Sequence, residues 1–317
     1  MINQNSPEYE KETVILAQID LTTGSIPKTL LRFAFPMICG NLLQQLYNVA
    51  DTLIVGRFLG SDALGAVGSS YTLMTFLTSI LLGLCMGSGA LFSVCWGQRD
   101  LARLRRQTHA AFVLIAVCTV VLNAAAFLLL DAMKTLLSVP AEVWPLMRSY
   151  LFVIFFGIGG TFLYNYYASL LRAVGNSLVP LLFLAAAAVL NIALDLVFVL
   201  VCRWGVEGAA AATVLAQWLS GIGTAVYTLV RCPELRARRE ERRITGAMLR
   251  ELLSASVLTC LQQSVMNLGI LIVQGRINSF GPVIMAAFAA AVKIDSFAYM
   301  PLQDFGNAFS TFIAQNY

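Results

Sequence analysis

The chain has 317 residues, is 58% hydrophobic and only 12% charged, and has a mean hydropathy of +0.76. So apolar a composition excludes an ordinary water-soluble domain and makes this a polytopic membrane protein. The formal net charge of +4 sits in loops between apolar stretches, so it reports topology and an anionic inner leaflet and gives no case for nucleic-acid binding.

A hydrocarbon core of about 30 Å needs roughly 20 apolar residues of helix. In chain order, the sequence predicts membrane helices over 30–55, 64–95, 108–130, 148–171, 178–201, 206–230, 251–275 and 283–312. Residues 1–25 are polar and of mixed charge. They form an N-terminal segment in the cytoplasm and do not read as a cleaved signal.

The first span carries Asp51 and the fifth carries Asp195. An Asp near the centre of a membrane helix costs roughly 2.5–3.5 kcal/mol on insertion scales, so a pair of them needs a purpose. Burial disfavours the charged form of a carboxylate, which then takes up a proton or a cation. Pro36, fifteen residues before Asp51, removes one helix hydrogen bond and invites a kink that could couple to loading of the acid. Gln45 and Asn48 on the same span are candidate cavity residues.

Asp51 lies six residues before Arg57, Asp195 eight before Arg203, and Thr213 six after Glu207. At 1.5 Å per residue all three lie about 9–12 Å below one membrane boundary. Asn191 is one turn deeper than Asp195 on the same helix face, and Tyr150 and Asn165 on the fourth span could complete the set. Two acids, an amide and hydroxyls at one depth suit a proton or a sodium ion. A plain polar network between helices is the competing reading. Intramembrane hydrogen bonds average under about 1 kcal/mol, which makes Asp a poor choice for that task.

Lysine and arginine collect on one side of the predicted spans, which puts the N-terminus inside. The stretch 231–250 is a basic linker on that inner surface. The seven cysteines form no C-x-x-C and read as inert residues of the spans and their ends. With a single histidine and no P-loop motif, zinc hydrolysis and P-loop ATP hydrolysis are unsupported, and no nucleophile and base constellation suggests an enzyme.

Residues 43–57 (L-Q-Q-L-Y-N-V-A-D-T-L-I-V-G-R) recur at 261–276 (L-Q-Q-S-V-M-N-L-G-I-L-I-V-Q-G-R), with Gln274 inserted. Phe92-Ser93 with Gln98 recurs as Phe309-Ser310 with Gln315. Both copies start inside, so the repeat is parallel, as in transporters whose halves are related by an axis along the membrane normal. The expected organisation is all-α: a six-helix N-lobe over 26–230, the linker 231–250, and over 251–317 the first two helices of a second six-helix lobe. By this repeat roughly four helices, about 130 residues, are missing and the chain is C-terminally truncated. Lys293 and Asp295, inside the eighth span, are further candidates for an ion pair or a cavity role, with Asp304 or a residue of the missing helices a partner for Lys293. The spacings Gly56/Gly60 and Gly83/Gly87 suit close helix packing.

These residues resemble the multidrug and toxic compound extrusion (MATE) transporters, within the wider multidrug/oligosaccharidyl-lipid/polysaccharide flippase group. The resemblance rests on Y-N-V-A-D-T-L-I-V-G-R with Asp51, N-I-A-L-D from Asn191 to Asp195, G-A-A-A-A-T ending at Thr213, L-R-A-V-G-N around Arg172, the basic loop after W-G-Q, and A-Q-N-Y. It implies a V-shaped antiporter of twelve helices. Residues matching Asp51, Asp195, Asn191, Thr213 and Tyr150 would bind H+ or Na+, and loading would bend the first helix at the place of Pro36 and release the drug outward. Gly269 stands opposite Asp51 in the repeat, so a sodium site in the second lobe is not expected.

The expected function is therefore a monomeric, ion-coupled antiporter in the cytoplasmic membrane that exports small amphipathic or cationic organic compounds. It needs no cofactor beyond H+ or Na+ and binds no nucleic acid. A flippase of lipid-linked saccharides and a non-transporting receptor or scaffold are the alternatives.

Overall fold

The computed structural model describes residues 19–317, apart from the side chains of Lys293 and Ser296. Within that range the chain forms eight long helices: α1 (Ile26–Leu59), α2 (Ser61–Gly97), α3 (Leu101–Leu128), α4 (Trp144–Ala173), α5 (Leu178–Val201), α6 (Gly205–Arg231), α7 (Gly246–Asn278) and α8 (Pro282–Asn316). Each begins and ends within a few residues of an apolar run or outlasts it. The hydrocarbon thickness fixes the apolar length, whereas capping groups let the helix continue into the polar layer: Asp100 accepts from the Arg103 N–H at 2.9 Å at the start of α3.

Seven of these helices are long and apolar enough to cross a membrane by composition alone, and α1 is not among them. Its polar residues Asn41, Gln44, Gln45, Asn48 and Asp51 recur at helical spacing and line a cavity, so the stripe that lowers its hydropathy faces protein.

Alpha-helix α2 lies at the centre. Adding a Cβ to Gly83 would bring it 2.4 Å from the Cys260 Cα, and at Gly87 2.4 Å from the Ser256 Cα, so both glycines let the α7 backbone approach directly. Near the other end of this pair, Gln274 Nε2 donates to Ser69 Oγ (3.1 Å) and Asn278 Oδ1 (2.7 Å), Thr72 Oγ1 donates to Gln274 Oε1 (3.2 Å), and Asn278 Nδ2 donates to the Leu137 carbonyl (2.9 Å). Gln274, the residue inserted in the second repeat copy, is thus the hub of a buried amide network. The paired positions make α7 antiparallel to α2. Contacts of Gly65 with Met285 and of Gly97 with Gln315 make α8 parallel to α2.

The two hairpins turn alike. Gly60 and Gly281, each just before the second helix, have φ of 92° and 96°, a left-handed conformation that an L side chain rarely adopts. At the end of the bundle where α1 begins, here called the base, Ile19 N–H donates to the Gly175 carbonyl (3.0 Å), Gln315 Nε2 to the Ala173 carbonyl (2.6 Å) and Asn316 Nδ2 to the Leu21 carbonyl (3.0 Å). The L-R-A-V-G-N turn and the A-Q-N-Y segment, far apart in sequence, therefore meet here.

Between α6 and α7, Pro233–Leu235 and Arg239–Arg242 form single 3-10 turns. Arg105 of α3 grips Glu241 through Nε (2.9 and 3.0 Å) and Nη2 (2.8 Å), and Arg103 pairs with Glu251 of α7, which also accepts from Gln107. The linker is held to α3 by charge-assisted bonds.

Candidate functional site

Polar side chains from α1, α2, α4, α6 and α8 converge on a cavity of about 270 Å³. From α1 it takes Asn41, Gln44, Gln45, Asn48 and Asp51. Helix α4 contributes Tyr150, Thr161, Asn165 and Arg172, α6 contributes Thr213 and Gln217, and α8 contributes Met300, Gln303, Asp304 and Asn307. The α8 set repeats at i, i+3, i+4 and i+7, the spacing of one helix face.

At the end of the cavity away from the base lies the acid cluster. Asp51 is 6% exposed, Tyr150 5%, and Asn191 and Asp195 are fully buried. Tyr150 lies within electrostatic reach of both carboxylates, which joins the α1 acid to the α5 acid. Asn191 spans α5 and α6. Its Nδ2 donates to Asp195 Oδ2 at 3.3 Å and its oxygen accepts from the Thr213 N–H at 3.3 Å.

Local backbone geometry presents Asp195. Helix α5 is α-helical up to Asp195 and then widens into a π-helical turn over Leu196–Val201. The wider turn places the acid at the point where the hydrogen-bond register changes, a feature that recurs at functional positions in helices. No signal in the apolar run L-V-F-V-L-V announces it.

The five candidate coupling residues thus come together, and Gln45, Asn48 and Asn165 line the same cavity. Gln45 Nε2 donates to Met300 Sδ at 3.0 Å, while Asn48 Nδ2 reaches Gln45 Oε1 at 3.4 Å. Asn165 bonds within its own helix, Nδ2 donating to the Thr161 carbonyl at 2.9 Å.

The remaining candidates are placed elsewhere. Pro36 sits on the outer face of α1, in an open pocket with Leu31, Phe35 and Leu178, and α1 continues as helix through it. Asp295 is exposed on α8 and does not line the cavity, and the Lys293 side chain lies outside the described residues. The pairing with Lys293 expected of Asp304 falls outside the described residues, and Asp304 itself lines the cavity. It is 3% exposed and accepts from Asn41 Nδ2, which ties α8 to α1.

Sequence reading passed over Arg172 and Asp304 as cavity residues, together with Asn41, Gln44, Gln217, Gln303 and Asn307. The helical spacing of polar residues along α1 and α8 was the signal that could have found most of them.

The comparisons agree with one another. A family model described as MatE matches residues 36–197. The chain is 31% identical to the probable multidrug resistance protein YpnP of Bacillus subtilis over 94% of this chain and 66% of that protein. It is 27% identical to the probable multidrug resistance protein YoeA of the same organism, over 92% and 65%. A crystal structure of MATE in complex with MaD3S superposes with a TM-score of 0.80 at 23% identity, covering 93% of this chain and 67% of that one. The chain spans about two thirds of the length of the curated relatives it matches.

Proposed function

The chain belongs to the MatE family, and from that premise we propose that it acts as an ion-coupled multidrug antiporter, exporting amphipathic organic compounds across the cytoplasmic membrane with its N-terminus inside. The observation that carries this reading is the placement of Asp51 and Asp195, buried on neighbouring helices, beside the cavity that substrate would occupy. The relatives described as multidrug resistance proteins support drugs as the substrate class.

In this reading Asp51 and Asp195 are the coupling groups. Facing outward, the two carboxylates are ionised and take up H+ or Na+, with Asn191, Thr213 and Tyr150 completing the shell. A carboxylate pair that has been neutralised no longer holds a cationic or polar substrate and no longer repels its partner acid, so loading favours substrate release. Return to the inward-facing state discharges the ion. Nothing covalent happens to the substrate, so the proposed activity is transport without catalysis. The organisation as a six-helix first lobe (26–230), a linker (231–250) and the start of a second lobe (251–317), acting as a monomer, belongs to the same proposal.

The test is ethidium efflux from energised cells carrying wild type, Asp51→Asn or Asp195→Asn at matched expression, under imposed pH or sodium gradients. Loss of gradient-driven efflux in both variants is the expected result, and the gradient that drives wild type identifies the ion. Undiminished efflux in both variants would overturn the assignment of the acids.

A further inference from the structure

The cavity has a second charged region, far from the acid cluster. Asn41 stands ten residues before Asp51 on α1, about 15 Å nearer the base at the rise of an α-helix. There Asp304 of α8 faces the cavity with one carboxylate oxygen bonded to Asn41 Nδ2. Its other oxygen is buried and accepts no hydrogen bond. Arg172, at the base end of α4, lines the same cavity, and its Nε is buried and donates none. The two charges act on each other through space but do not approach within ion-pair distance, whereas Arg103, Arg105 and Arg148 all do so with their carboxylates.

We propose that this region is a substrate subsite for zwitterionic organic molecules, in which Asp304 takes an ammonium group and Arg172 a carboxylate. The proposal deepens the export reading and rests on it. A buried acceptor and a buried donor left unmatched in one cavity cost free energy that a ligand carrying both partners recovers. A simple cation placed on Asp304 would sit in the field of Arg172, and a simple anion on Arg172 in the field of Asp304. A molecule bearing both signs meets two attractions instead of one attraction and one repulsion. The walls between them suit an apolar body, with Met300 on α8 and Tyr164 on α4. Met side chains adapt to varied shapes, which fits a site that takes more than one compound.

Three ligands on one indole frame separate the charges: tryptophan carries both, tryptamine only the ammonium, and indole-3-propionate only the carboxylate. Binding of the tritiated compounds to the purified protein in nanodiscs is read by scintillation proximity. Tryptophan is expected to bind at least about tenfold more tightly than either single-charge analogue. Asp304→Asn should weaken tryptophan and tryptamine about tenfold while sparing indole-3-propionate, and Arg172→Gln should do the converse for tryptamine and indole-3-propionate while also weakening tryptophan. Tryptamine binding as tightly as tryptophan to wild type, a result that needs no variant to fold, overturns the subsite, as does unchanged tryptophan binding in both variants. If the protein binds none of the three yet drives ethidium flux in proteoliposomes, the subsite falls and the export reading stands. Selective binding of the zwitterion without any flux retains the subsite and removes the export reading.

Discussion

Replacing Asn191 by Leu removes the amide that spans Asp195 and Thr213 while keeping a branched side chain with the same number of heavy atoms. A buried carboxylate deprived of a hydrogen-bond donor is harder to ionise and binds its ion differently. Under the transport reading, N191L is therefore expected to lower gradient-driven efflux about tenfold or more, while the equilibrium affinity for ethidium changes by less than about threefold; measuring both in the same proteoliposomes checks this. Asp51, Asp195 and the amide one turn from Asp195 were legible in the sequence because a polar residue inside an apolar run stands out wherever its helix packs. Arg172 and Asp304 were not, since a residue near a helix end or among other polar residues carries no such contrast. Whether Asp304 meets Asn41 or a cavity depends on which helix lies beside it.

Between elements, the close contact of α2 with α7 depends on two glycines. Gly87→Ala would set a methyl 2.4 Å from the Ser256 Cα, so one helix must move, and a loss of about 1–3 kcal/mol is expected, read as a lower melting temperature in detergent. Gly269→Ala on α7 has nothing within 4 Å of the added methyl, so the same measurement should find it neutral or slightly stabilising, by up to about 1 kcal/mol from helix propensity. Gln274→Leu leaves Asn278, Ser69 and Thr72 short of partners in a buried network and is expected to cost about 1–3 kcal/mol. The Gly83/Gly87 spacing pointed to packing in the sequence, although not to its partner. Gln274 looked like an insertion that spoiled a repeat, and only the arrangement of α2, α7 and the turn at Leu137 gives it a purpose.

For the whole molecule, the linker between α6 and α7 decides how the first six helices are joined to the last two. The Arg105 guanidinium beside Glu241 holds that carboxyl below its ordinary value of 4.5. A depressed folded-state value means that the contribution is present above about pH 4.5 and fades as pH falls below it. Trypsin at pH 7.5 is therefore expected to cut the linker several-fold faster in Glu241→Gln than in wild type. Because the contribution fades as pH falls below about 4.5, pepsin digests at successively lower pH should show the difference between the variant and wild type narrowing. A difference that does not narrow as pH is lowered would show that the linker is held by packing rather than by this charge.

Local chemistry was enough to determine much of this protein from its sequence alone. The thickness of a bilayer and the cost of unsatisfied backbone groups require helices of a given length, so the helices follow from apolar runs, and a carboxylate within such a run announces itself by its cost. The order of residues suggests a repeat, and Gly60 and Gly281 each hold a positive φ just before the second helix of a hairpin. Tertiary structure alone decided which faces meet. The polar stripe of α1 turns to a cavity, Asp304 turns to Asn41, and the π turn after Asp195 sets where that acid points. A helix sequence specifies which residues share a face, but what that face touches depends on helices distant in the chain, here α8 against α1 and α7 against α2.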